Sequence, residues 1–162
     1  MIDTTQSPRR PLRVGSPADA IADAAALCEA HRRNALARTG NWTLGQALNH
    51  LHRWMTFPYN GFPVTAPADL AARAQARKPH ALRNGLLVGF RMPNVEGGTA
   101  AFDDQPPDEA LAVLRATWDR LLREVPVHPH PFFGALTHEE WLLLHLRHCE
   151  LHQSFFFPAA SG

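Results

Sequence analysis

The segment 137–157 constrains the fold more than any other part of the sequence. It opens with T-H-E-E at 137–140, the S/T-x-x-E pattern of a capping box, and Pro158 follows its last residue, so it predicts a helix. On a wheel at about 100° per residue, one broad arc is apolar and yet contains three histidines. The arc consists of Trp141, Leu144, His145, His148, Leu151, His152 and Phe155. The opposite side carries Arg147, Glu150 and Ser154, and we expect Glu150 to be a solvated surface charge.

Three further segments have the composition of long helices and stop before a glycine, a proline or an irregular stretch. Their predicted bounds are 18–38, 43–57 and 108–124. A short helix is predicted at 69–78, where Pro79 ends or kinks it, and 81–88 is compatible with either helix or strand. No segment shows clear two-residue alternation. The expected fold is therefore all-α, an up-and-down four-helix bundle with a long connection between its second and third main helices.

Length and composition limit the possible functions. The 162 residues suffice for one domain, and we expect a flexible lead-in at 1–17, a single bundle at 18–157 and a C-terminal tail at 158–162. The net charge of +1 argues against a nucleic-acid partner. Apolar stretches such as 86–90 are too short to span a membrane, and no signal-peptide core follows the N-terminus, so we expect a cytoplasmic protein. Two cysteines exclude a disulfide framework or a cysteine-rich zinc site.

The three histidines of the last predicted helix indicate a common function. The chain has ten histidines, and a buried polar group without a partner costs about 1–3 kcal/mol. His148 and His152, four residues apart, place their Cβ atoms about 5–6 Å apart on one helix face, so both rings could bind one metal ion. His145 and His148 form a second possible pair. A single buried histidine is usually hydrogen-bonded within the core, but the cluster favours a metal site.

A third ligand has to come from another helix, and the sequence offers two candidates. His50 and His52 flank the apolar stripe of the second helix on opposite sides. Periodicity does not choose between them, and we expect one of the two to lie at the surface.

Two stretches resemble a known superfamily. The residues N-W-T-L-G-Q-A-L-N-H-L at 41–51 resemble the second-helix signature of the DinB/YfiT-like superfamily. The residues P-F-F-G-A-L-T-H-E-E-W at 131–141, followed by His148-x-x-x-His152, resemble the C-terminal signature of one uncharacterised-domain branch. Members of that branch often carry a further histidine and an Arg-Gln-Phe ending after the last ligand. This chain departs from that pattern, because it reads H-Q-S-F-F from His152 onward.

The resemblance implies a metal-binding helical bundle. By position, the ligands of a divalent ion, zinc or nickel, are His50, His148 and His152. The implied activity is that of a hydrolase, or of a transferase that uses a low-molecular-weight thiol, acting on an unknown small molecule. The alternatives are a non-catalytic binding or stress-associated bundle, and a structural dimer with a histidine hydrogen-bond network and no metal.

We also predict roles for several side chains near the implied site. Among His145, Glu150 and His52, His145 is the best candidate for a catalytic general base. Cys149 is expected to be a small buried residue. The aromatic run 155–157 is too wide for one helix face, so part of it is expected to cover a second copy in a homodimer.

Overall fold

The secondary structure of the protein is mostly helical, in agreement with the all-α prediction. The computed structural model describes residues 1–100 and 103–159. The helices are α1 (Pro17–Arg32), α2 (Leu44–Asn60), α3 (Ala68–Asn84), α4 (Pro107–Arg123) and α5 (His138–Gln153). Two short strands, β1 (Leu36–Arg38) and β2 (Phe156–Pro158), form an antiparallel pair, and a 3-10 turn spans Glu96–Gly98.

Helix contacts place α5 beside α1, α2 and α3. α2 packs along α4, and α1 contacts both α2 and α4. The core between these helices contains fully buried large side chains such as Leu48, Trp118 and Trp141. Side chains on the inner faces of α2 and α5 therefore lie opposite each other.

Four predicted helix boundaries are wrong, each for a local reason. α1 ends at Arg32 instead of residue 38, because Asn34 adopts a positive φ and the chain then pairs as β1 with β2. α2 continues through Pro58 to Asn60; a proline in the last turn removes few helical hydrogen bonds. α3 likewise passes Pro79 and reaches Asn84, so it is a full-length helix that includes part of 81–88. α5 ends at Gln153, because the residues after it form β2.

The side of α5 that was expected to face solvent is buried. Only 3% of Arg147 and 6% of Glu150 are exposed. Arg147 Nη2 lies 3.0 Å from Glu150 Oε1 and donates to the Val14 carbonyl at 2.8 Å, while the Val14 N–H donates to the Glu150 carboxylate at 2.9 Å. The expectation that Glu150 is a solvated charge is wrong because the N-terminal segment covers this side. The predicted lead-in therefore contacts α5 through its own backbone.

The aromatic run at the end of α5 packs within the chain. Phe155 and Phe156 are buried, and Phe156 is part of β2. These two rings therefore offer little exposed surface to a second copy, whereas Phe157 is partly exposed. The homodimer stays a prediction. Of the predicted C-terminal tail, residues 160–162 lie outside the described part of the chain. In the part that is described, no helix combines the length and apolar character needed to cross a bilayer.

Candidate metal centre

Three histidine rings meet between α2 and α5. His50 Nε2 lies 3.1 Å from His148 Nε2, and His152 Nε2 lies 3.0 Å from the same atom. One nitrogen of each ring lies within 4.8 Å of those of the other two. These are the three residues that the resemblance implies as metal ligands, and the fold brings them together.

Both helices begin with a cap that the sequence encodes. Thr43 accepts from the Gln46 N–H, and the Gln46 side chain accepts from the Thr43 N–H, which completes a capping box. Thr137 and Glu140 form the same box at the start of α5. A capping box satisfies two backbone donors and fixes where the helix starts. The caps therefore fix where α2 and α5 begin, and the packing of the two helices brings His50 opposite the α5 histidines.

A backbone carbonyl orients the His50 ring. The Ala100 oxygen lies 3.1 Å from His50 Nδ1 and also accepts from Trp54 Nε1 at 3.2 Å. Because a carbonyl oxygen only accepts, this contact places the proton of neutral His50 on Nδ1. The Nε2 lone pair then points to the other histidines. Such a hydrogen bond on the outer nitrogen is usual for histidines that bind metals.

The three inner nitrogens fit a metal better than they fit one another. His148 Nε2 is close to two other Nε2 atoms, and a neutral imidazole nitrogen that donates has no lone pair with which to accept. Hydrogen bonding among three neutral rings thus leaves at least one close contact unsatisfied. Two ligands held at about 2.0–2.1 Å in a tetrahedral zinc site lie roughly 3.3–3.4 Å apart, close to the separations observed here.

Two tryptophans enclose the centre. The Trp42 ring stacks on His152, with centroids 4.8 Å apart and an interplanar angle of 11°, and also contacts His50 at 4.8 Å. Trp54 lies 5.8 Å from His50. His50 is buried, while His148 and His152 are partly exposed. The rings are therefore held in place, and the α5 side of the centre retains access to solvent.

The surroundings keep the α5 ligands neutral. Although His148 and His152 keep some exposed surface, most of each residue is buried. This burial is the main cause that lowers the pKa of both well below 6.5, and neighbouring histidines lower both values further. A metal binds the neutral imidazole, so protons compete little with it near neutral pH. The three candidate ligands contain no carboxylate, so a bound divalent ion would keep its full charge.

His145 does not reach the meeting point of the three rings. It is 2% exposed and stacks on Trp141 at 5.8 Å, and neither of its ring nitrogens has a hydrogen-bond partner within residues 1–100 and 103–159. Burial, with a smaller effect from His130, lowers its pKa to about 3. Its ring centroid lies 6.4 Å from that of His148. His145 is thus a neighbour of one candidate ligand inside the aromatic core.

The remaining predicted residues are all buried. His50 and His52 are 3% and 7% exposed, so the expectation that one of them lies at the surface is wrong. His52 Nε2 has no hydrogen-bond partner in the described part of the chain, and burial is the main cause that lowers the pKa of His52, partly offset by Gln105. Cys149 is buried as predicted, and burial raises the pKa of its thiol.

His130 is a neighbour that the sequence reasoning missed. It lies in a proline-flanked loop, and its Nδ1 accepts from the backbone N–H groups of Phe132 and Phe133. Its ring centroid lies 5.9 Å from those of Trp54 and Trp141, and burial lowers its pKa to about 3. The only signal in the sequence was the concentration of histidines in this part of the chain.

Two surface grooves lie away from the three histidines. One, of about 620 Å³, is lined by residues that include His52, Arg53, Thr56 and Val113. The other, of about 430 Å³, is lined by residues that include Thr43, Asp104 and Pro107. None of the three candidate ligands lines either groove.

Comparison with known proteins gives one family assignment. A search of curated proteins found no match, and a search of solved structures found none. The sequence model of a family described as "Protein of unknown function (DUF1569)" matches residues 6–159. This range includes all five helices and the three histidines of the candidate metal centre. The chain therefore belongs to the DUF1569 family of proteins of unknown function.

Proposed function

We propose that this protein is a DinB/YfiT-like metalloprotein, an up-and-down four-helix bundle that holds a divalent ion on His50, His148 and His152. The observation that carries the proposal is the convergence of the three Nε2 atoms, two of them 3.1 and 3.0 Å from the third. Imidazole nitrogens suit zinc and nickel among the divalent metals. Zinc or nickel is therefore the proposed ion.

The partial exposure of His148 and His152 supports a reactive centre. Three protein ligands leave at least one position for another molecule, as in catalytic zinc sites. When bound, such an ion polarises a carbonyl or acidifies a water molecule, and borderline metals also accept a thiolate. The proposed activity is that of a hydrolase, or of a transferase that uses a low-molecular-weight thiol, on a small molecule.

The chain's own residues supply orientation and protection from water. The Ala100 carbonyl fixes the His50 ring, and the Trp42 ring covers His152. A base with a pKa of about 3 is almost entirely unprotonated and weakly basic at neutral pH. This low pKa does not favour His145 as a general base, and its catalytic role stays a prediction.

Metal analysis of the purified protein tests the proposal. We expect one zinc or nickel ion per chain after loading and removal of free metal, and loss of that ion in His148→Ala. His80→Ala is the matched control, because His80 is exposed on α3 and its ring lies 3.1 Å from the Asn84 side-chain nitrogen, away from the three candidate ligands. A His148→Ala protein that keeps one ion per chain contradicts the ligand assignment.

One observation favours a second candidate, a non-catalytic binding or stress-associated bundle. The two grooves are lined by other residues, and none of the three histidines lines them. Titration of the cobalt(II)-loaded protein with imidazole separates the candidates. A change in the visible spectrum favours an open, reactive centre, and an unchanged spectrum favours the binding module.

A further inference from the structure

Residues 1–6, which we call the flap, fold back as a compact turn against the loop that precedes α2. Within the turn, the Asp3 carboxylate accepts from the Thr5 N–H at 3.0 Å. The Asn41 side chain binds the Ile2 backbone at two points, accepting from its N–H at 2.8 Å and donating to its carbonyl at 2.9 Å. These paired hydrogen bonds hold the flap beside Asn41.

The flap also lies against the connection between α3 and α4. A Cβ atom at Gly89 would lie 2.6 Å from Thr5 Cγ2, so the flap is in close contact with this backbone. Arg91 Nη1 lies 3.3 Å from Met1 Sδ. A Cβ atom at Gly98 would lie 2.9 Å from Arg91 Cβ, so Arg91 in turn packs on the last part of the described connection. The flap therefore bridges two segments that are distant in sequence.

Both of these segments contact the three-histidine centre. Asn41 is followed by Trp42, whose ring stacks on His152 with centroids 4.8 Å apart. In the other segment, the Ala100 carbonyl lies 3.1 Å from His50 Nδ1. The flap thus links the ring that covers one candidate ligand to the backbone that orients another.

The flap is held more lightly than the residues that follow it. Met1 is 96% exposed and Ile2 is 53% exposed. No ion pair within residues 1–100 and 103–159 involves the flap, whereas Arg10 makes a bidentate ion pair with Asp23 at 2.8 Å for each bond. Segments with exposed hydrogen bonds and few buried contacts open at the lowest free energy. The flap can therefore open while the residues around Arg10 stay in place.

We propose that the flap is a gate for the three-histidine centre, and that its release from Asn41 frees Trp42 to move and admits small molecules to His152. The population of the open form then sets the rate of access. The purpose of the gate rests on the proposed function, because a reactive metal centre benefits from controlled access. The gate itself is built from the chain's own residues and operates with or without a bound ion.

Diethyl pyrocarbonate modification of the metal-free protein, mapped to single histidines by peptide mass spectrometry, tests the gate. Asn41→Ala removes both hydrogen bonds to Ile2, so the modification rate of His152 should rise about tenfold, as for the net loss of one or two hydrogen bonds. The rate of the exposed His80 should stay unchanged, and the buried His145 should stay protected. Both histidines serve as controls within the same molecule.

Two further variants separate the gate from an effect of Asn41 alone. Ile2→Pro removes only the N–H that Asn41 accepts and should raise the His152 rate by about threefold. Asn60→Ala, at an exposed position at the end of α2, should leave it unchanged.

Three results would overturn the gate. They are a His152 rate in Asn41→Ala equal to that of the wild-type protein, an increase shared with His145, which would show a loosened core, and an Ile2→Pro rate equal to that of the wild-type protein. Zinc tests the metal centre separately, because it should protect His152 in the wild-type protein. Absence of that protection contradicts the metal centre and leaves the result for the gate standing.

Discussion

The buried imidazole of His145 makes a specific prediction about acid sensitivity. Its pKa is about 3 in the folded protein, against 6.5 for an unperturbed histidine, because burial disfavours the charged ring. Below pH 6.5 the unfolded chain therefore binds a proton that the folded chain does not. Stability rises with pH wherever the unfolded state binds more protons. The stability of the folded protein thus falls as the pH drops from 6.5 towards 3, and the contribution of His145 to this loss is absent above pH 6.5.

The size of this loss of stability follows from the difference between the two pKa values of His145. A single histidine with these two pKa values lowers the free energy of unfolding by about 2 kcal/mol between pH 7.5 and pH 5.0. His145→Leu removes this contribution and also removes two buried nitrogens for which the described residues offer no hydrogen-bond partner. Each such nitrogen costs about 1–3 kcal/mol, so the variant should be at least as stable as wild type at pH 7.5.

Urea unfolding of the metal-free protein at pH 7.5 and pH 5.0 measures the stability of His145→Leu and its dependence on pH. A chelator removes metal so that release of an ion from the neighbouring histidines does not contribute. We expect the loss of stability between pH 7.5 and pH 5.0 to be smaller in His145→Leu by about 2 kcal/mol. An equal loss in variant and wild type would refute the burial of a neutral imidazole at this position.

Two further predictions concern the network behind α5 and the protonation of the ligands. Glu150→Ala should lower the free energy of unfolding by about 3–5 kcal/mol in denaturant titrations, because it leaves Arg147, only 3% exposed, as an unpaired buried charge. Glu139→Ala, at an exposed position, is the control. Equal stability of Glu150→Ala and the wild-type protein would contradict the role of Glu150 as the partner of Arg147. Zinc affinity, measured by competition with a chelator of known affinity, should depend only weakly on proton competition at His148 and His152 between pH 8 and pH 6, because the pKa of each lies well below 6.5. Two unshifted imidazoles would lose on the order of tenfold over the same interval, and a loss of that size would contradict the lowered pKa values.

Local sequence signals account for the parts of the fold that position the site. The predicted starts at 43 and 137 lie within one residue of the observed starts of α2 and α5, and the capping box read from the sequence at Thr137 is present. The four-residue spacing of His148 and His152 puts both rings on one side of α5, and their Nε2 atoms do meet. These features depend only on neighbours within one helix, which is why the sequence is sufficient for them.

Features that depend on distant segments could not be read from the sequence. β1 ends α1 early because Leu36 pairs with Pro158, from the opposite end of the chain. Glu150 looked solvent-facing on a helical wheel, but the Val14 backbone and Arg147 enclose it. Periodicity alone could not choose between His50 and His52, since both are buried on opposite sides of the same apolar stripe.

X-ray absorption spectroscopy of the zinc-loaded protein identifies the ligands of the metal. We predict three imidazole nitrogens at about 2.0–2.1 Å from the metal. In His50→Ala, which removes the ligand from α2, one imidazole contribution should be lost. A spectrum with fewer than three imidazoles in the wild-type protein, or one that His50→Ala leaves unchanged, would contradict a metal centre built from α2 and α5.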